Sequence, residues 1–252
     1  MAIYRMYSRI FAFCFAFLAL CTQSYAETPW NSPSDLDASF GDFRNLVEQR
    51  HREGLLPDLD NPHDAAVLLE ILDPYKVVGK PPFYASDLPV LSKVLSLIAT
   101  DLDIYIQAAQ RTPDNRRYHD EIVRITILAL HTGVASASAF QALIPKLASS
   151  MDQGKVSALI VKGRGGLRKI ALGALVVLAD TTLSADNRRI LTQAFANLGP
   201  QLAESIQISD RQGLGGQLTT VVALTPSDLR PDLQRFANQL TIIGCNRICA
   251  EN

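Results

Sequence analysis

The sequence predicts an all-α protein, either an array of helical hairpins or an irregular multi-helix bundle made of the same helices. Three observations predict it. Residues 167–200 contain one complete helix–turn–helix unit, with apolar residues at helical spacing on both arms. The same order of apolar helix, short turn and second apolar helix recurs around residues 66–95, 128–147 and 220–240. The serines taken as starts of the second helices, Ser86, Ser136, Ser184 and Ser227, are separated by 50, 48 and 43 residues.

That spacing is close to the roughly 40–47 residues of a HEAT or armadillo repeat. The chain therefore resembles those right-handed solenoids in pattern, though not in letters, and the resemblance concerns architecture only. The expected organisation is a signal peptide over residues 1–26, then one all-helical domain over 27–252. That domain would comprise an N-terminal capping helix at about 35–53 and four helical hairpins.

In chain order, Arg5 and Arg9 form a basic start, Ile10 to Leu20 an apolar core, and Ser24 and Ala26 the small residues of a cleavage site before Glu27. Leu18-Ala19-Leu20-Cys21 resembles the box before a lipidated cysteine but has Leu20 where a small residue is required. The apolar core is too short to span a bilayer, and no later stretch reaches the roughly 18–20 uninterrupted apolar residues of a membrane helix. The expected mature protein is exported, periplasmic or secreted, and has no transmembrane segment. Loss of Arg5 and Arg9 from 24 basic residues leaves 22 against 25 acidic ones, a net charge near −3. Nucleic acid, which wants a basic surface, is excluded as a partner.

Asp35 caps a helix whose inward face is Phe40, Phe43, Leu46 and Val47 and whose outer face is the charged run 48–53; Gly54 closes it. This suits a terminal cap of a helical array. His51 lies in the charged run and reads as solvated. After the loop 57–62, Asn61 or His63-Asp64 opens the next helix. Residues 74–85 form the longest insertion and gather Tyr75, Phe83 and Tyr84 beside Lys80 and a Pro-Pro pair. Insertions of this kind collect on one face of repeat proteins and carry binding, although the same aromatics can instead fold back over the core.

His119, Asp120 and Glu121 stand at a helix start, where acidic residues suit the dipole. His131 lies about 18 Å further along by the helical rise, too far from His119 to share a metal. The run Lys162 to Lys169 reads as a glycine-rich basic turn at the N-terminus of the next helix. There Arg164, Arg168 and Lys169 with free amides would bind a carboxylate or phosphate. It is not a P-loop. In the helix that follows, Leu167, Ile170, Ala171, Ala174, Leu175 and Leu178 form one face, and Leu172, Val176 and Val177 make the other face apolar as well. Such a helix is buried on more than one side, with Gly173 at a close approach. Ser184 caps the next helix, with Ile190, Leu191, Ala194, Phe195 and Leu198 inward, and Gly199-Pro200 is the expected stop. Gly213 to Gly216 reads as a further turn.

The mature chain keeps two cysteines, Cys245 and Cys249. In an oxidising compartment they form a disulfide whose short loop pins the C-terminus; a redox or metal site is the rival. H-E-x-x-H, G-x-S-x-G and S-x-x-K are absent. No cofactor, metal or catalytic residue is therefore assigned. Three functions of different class follow. The first is an envelope scaffold binding a protein or peptide through Tyr75, Lys80, Phe83 and Tyr84. The second is a hydrolase of envelope polymers with a deep polar pocket at His119 or Glu121. The third is a carrier of a small anionic or apolar ligand near Arg164.

Overall fold

The computed structural model describes residues 33–245 and Cys249, and all their regular structure is helical. The expected signal peptide and lipid box lie outside the described residues. Helix α1, Pro33–Arg52, turns Leu36, Phe40 and Phe43 inward with 1% exposure or less. At about 2 kcal/mol per buried side chain, these three anchor the N-terminal end. Gly54 takes φ 75° and ends the turn after it. Helix α2, Pro62–Leu72, is capped by Asn61, whose side chain accepts from the amides of His63 and Asp64. A short helix α3, Pro74–Val77, opens the insertion. Ser86 does not start the following helix. A 3-10 turn over Ala85–Asp87 leads into α4, Leu88–Leu97, and the Asp87 carboxylate accepts from the Tyr84 amide. A π-helical turn, Ile98–Leu102, joins α4 to α5, Asp103–Arg111.

The largest departure from expectation is α6, which runs unbroken for 32 residues over His119–Ser150. Ser136 is inside it, so no hairpin turn exists between residues 128 and 147. The small residues that look like a turn in sequence are a contact. A Cβ on Gly133 would lie 3.0 Å from Leu167 Cδ1 and 3.1 Å from Ile170 Cδ1, and Ala135 and Ala139 have no exposed surface. Within Asn115–Ser150, the helix with its 3-10 lead, the most apolar 18-residue stretch has a mean hydropathy of 1.5, enough by length and composition alone to cross a membrane. Half of its most apolar stretch is buried against other helices, as in the central helix of a helical core.

Helix α7, Gln153–Leu178, begins at Asp152, whose carboxylate accepts from the Lys155 amide. The basic glycine run 162–169 is thus mid-helix and not a turn. Gly165 and Gly166 would meet nothing within 4 Å if given a Cβ, so packing does not require them. From Leu167 onward both faces are apolar as expected, and Gly173 is buried. Helix α8, Ala185–Ser205, starts at Ser184, whose hydroxyl accepts from the Asn187 amide. It passes straight through Gly199-Pro200. A residue before proline normally leaves the helical region because its Cβ crowds the ring; glycine has none. Gly199 is also where α10, Arg230–Ile242, comes closest: a Cβ there would run into the Gln239 side chain and sit 3.0 Å from Phe236. Gly213 to Gly216 likewise lie within α9, Ile208–Leu224, and make no turn.

Helices α4, α6, α8 and α10 pack in succession, each on the next, while α7 packs on α9. Contacts α6–α7, α7–α8 and α9–α10 join these rows, and α1 and α2 close on α4 and α6. One apolar cluster extends from Leu36 to Leu240, with Phe195 and Phe236 stacked at 5.2 Å between α8 and α10.

Candidate functional site

The insertion holds its backbone with carboxylates at both ends. Asp73 accepts from the Tyr75 amide at 2.8 Å, Asp87 from the Tyr84 amide at 2.8 Å, and Gly79 turns the chain between them at φ 86°. Phe83 folds inward and packs against the core, whereas Tyr75 and Tyr84 are each 52% exposed. Phe83 thus folds back over the core, while Tyr75 and Tyr84 do not. Lys80 Nζ lies 5.8 Å from the centre of the Tyr75 ring, and that ring also meets His131 of α6 edge-on at 5.5 Å. Burial holds the His131 pKa below its usual value, against the weaker opposing pull of Asp73. Its imidazole is thereby kept neutral behind the tyrosine. Tyr75, Lys80 and His131 make one compact group, and His131 was missed because 56 residues separate it from Tyr75.

Arg164, Arg168 and Lys169 do not form the expected anion site. The run has no helix N-terminus and hence no free amides to offer. Arg164 is buried and donates from Nη1 to the backbone oxygen of Cys249 at 3.2 Å; Arg168 pairs with Asp210 at 3.4 Å. Their neighbours belong to the C-terminal segment and α9, while Tyr75 faces α6.

Glu121 is 1% exposed, and one of its oxygens accepts from the Leu59 amide while Oε2 has no partner. Burial raises its pKa to about 7, outweighing the lowering by the Leu59 amide and its own, with Asp120 and Asp58 adding to the rise. Around it the α1–α2 loop is latched by buried polar groups. Tyr105 donates to Pro57, the Tyr118 hydroxyl accepts from the Leu56 amide, Arg117 holds Asp58, and Arg50 holds Asp64 at 2.7 Å. His119 instead lines a cavity of about 30 Å³ with Ile106, Ile122 and Val177, room for a water but not for a sugar or peptide. Glu121 is not in that lining.

Two arginines went unnoticed in the sequence. Arg188 donates to the carbonyls of Asp180, Leu183 and Leu224, and Arg211 to those of Ile206, Leu240, Ile243 and Gly244. Each is the fourth residue of its helix and heads an apolar stripe, Arg188-Leu191-Phe195 and Arg211-Leu214-Leu218. An arginine at the head of a buried stripe was the available signal. The Cys245–Cys249 disulfide forms as expected, with Cα atoms 5.1 Å apart.

Comparison with protein-family models, with curated proteins and with solved structures finds no match to this chain.

Proposed function

We propose that the chain is an exported helical scaffold of the bacterial cell envelope that binds a protein or peptide through the face around Tyr75 and Tyr84. The single observation behind this is the presentation of two half-exposed tyrosines by a loop fastened at both ends. Aromatic rings on a rigid support bind partners at low cost in conformational entropy, and tyrosine is favoured in such contacts. Lys80 beside Tyr75 suits a partner segment carrying a carboxylate. The helix order supports a solenoid in preference to a bundle, since successive even-numbered helices form one row while α7 and α9 form a second. The expected export signal supports the envelope as the place.

The test is retention of envelope proteins on the immobilised protein and on a Tyr75→Ala, Tyr84→Ala variant, with Phe83 left in place because it packs inward. Both tyrosines are half exposed, so the variant keeps its circular dichroism spectrum and melting temperature. A protein retained by the parent and lost from the variant supports the proposal. Identical retention by both, or none by either, refutes it.

A further inference from the structure

Cys249 has no exposed surface, while Cys245, bonded to it four residues earlier, is exposed. Two buried arginines from different helices converge on Cys249. Arg211 of α9 places Nη2 3.1 Å from its sulfur, and Arg164 of α7 holds its backbone oxygen. Among the described residues, every other partner of Arg211 is a neutral carbonyl, and the adjacent Asp210 is engaged by Arg168. Among the described residues, no carboxylate faces the Arg211 guanidinium. A buried cation among neutral acceptors is electrostatically costly, and an anion in contact with it relieves that cost. Opening the disulfide would create such an anion, a thiolate at Cys249, at the position where Arg211 already contacts the sulfur.

We propose that the Cys245–Cys249 disulfide is an exchange site for small thiols, with Cys245 as the attacked sulfur and Cys249 leaving as a thiolate held by Arg211. The asymmetry of exposure sets the direction. An external thiolate reaches only the Cys245 sulfur and forms a mixed disulfide there. The electron pair of the broken bond goes to Cys249, and no proton moves in this step. A second thiolate then attacks the external sulfur of the mixed disulfide and releases Cys245, which takes a proton from water. Two thiols are oxidised to one disulfide, and the protein disulfide is reduced to two thiol groups. A stabilised leaving thiolate accelerates such exchange, and a neighbouring guanidinium is a known means of lowering a cysteine pKa. The closed loop is short, so its removal costs the unfolded chain little entropy and leaves the fold standing.

The test has two parts, both on the full chain. Thiolate absorbance near 240 nm is titrated in Cys245→Ser and in Cys245→Ser, Cys249→Ser, and the difference isolates Cys249. Its midpoint is expected at least one unit below the ordinary value of about 8.5, a roughly tenfold larger thiolate fraction at neutral pH. Arg211→Gln in the same background should raise the midpoint, and Arg211→Lys should restore part of the fall. A midpoint at or above the ordinary value overturns the proposal. Separately, the native disulfide is treated with glutathione, quenched by acid and mapped by peptide mass. The mixed disulfide is expected on Cys245; finding it on Cys249 overturns the assignment. If Arg211→Gln does not fold, the Cys245→Ser titration and the peptide map still decide.

Discussion

Replacing Glu121 by Gln should make the protein more stable at pH 8 and leave it nearly unchanged at pH 4. In the folded chain the carboxyl titrates near 7 instead of its usual 4.5, because burial penalises the charged form more than the Leu59 amide rewards it. A raised carboxyl pKa means that the folded state holds its proton more tightly than the unfolded state. The associated stability is fully present below pH 4.5, declines as pH rises towards 7, and is absent above. At 1.36 kcal/mol per unit, the difference amounts to about 3 kcal/mol across that window. The side-chain amide introduced by Glu121→Gln imitates the protonated acid, keeping an oxygen for Leu59 and carrying no charge. Urea unfolding followed by circular dichroism, on parent and Glu121→Gln proteins between pH 4 and 8.5, reads the effect directly. The difference between the two proteins cancels contributions common to both. It should grow in favour of the variant by about 3 kcal/mol and level off above pH 7. A difference that stays flat across the range would show that Glu121 does not titrate as its burial demands.

Two other outcomes follow from the packing. Gly199→Ala should destabilise by about 1–3 kcal/mol despite the better helix propensity of alanine, because the new methyl meets Gln239 and Phe236. Gly215→Ala, with nothing within 4 Å, should stabilise by up to about 1 kcal/mol, so opposite shifts in thermal unfolding are the check. Arg188→Met keeps the stem but removes the side-chain donor to three carbonyls, of which Asp180's keeps the Leu183 amide, for a loss of about 2–4 kcal/mol in urea unfolding. A loss under about 0.5 kcal/mol would mean that water replaces the guanidinium.

Fold class was legible because the 3.6-residue period is strong in the second half of the chain, and because Asn61 and Ser184 cap helices where their side chains imply. Helix length was not. Residues 131–138, 162–169 and 199–200 carry local turn chemistry, yet each is carried through in helix by neighbours far away in sequence. Gly133 is overlaid by Leu167 and Ile170, and Gly199 by Phe236. Local propensity is worth about 1 kcal/mol per residue here, and a buried interface outweighs it. The candidate surface was legible as a cluster of aromatics in a long insertion. Which rings face outward was not, since that depends on Asp73 and Asp87 fixing the loop ends and on His131 backing Tyr75. The Arg164 site failed for a related reason: its charge faces a cysteine 85 residues later, which no local pattern encodes.

The two arginine clamps also bear on the order in which the chain can mature as it leaves the ribosome. Arg188 finds its last acceptor at Leu224, 36 residues downstream, and Arg211 reaches Gly244, 33 residues downstream. Until those segments emerge, each guanidinium lacks a carbonyl that fills its shell and must stay hydrated, keeping water at the heads of α8 and α9. The helical rows therefore cannot dry out one pair at a time in the wake of synthesis. The head of α8 can close once Leu224 is in place, and that of α9 only with Gly244.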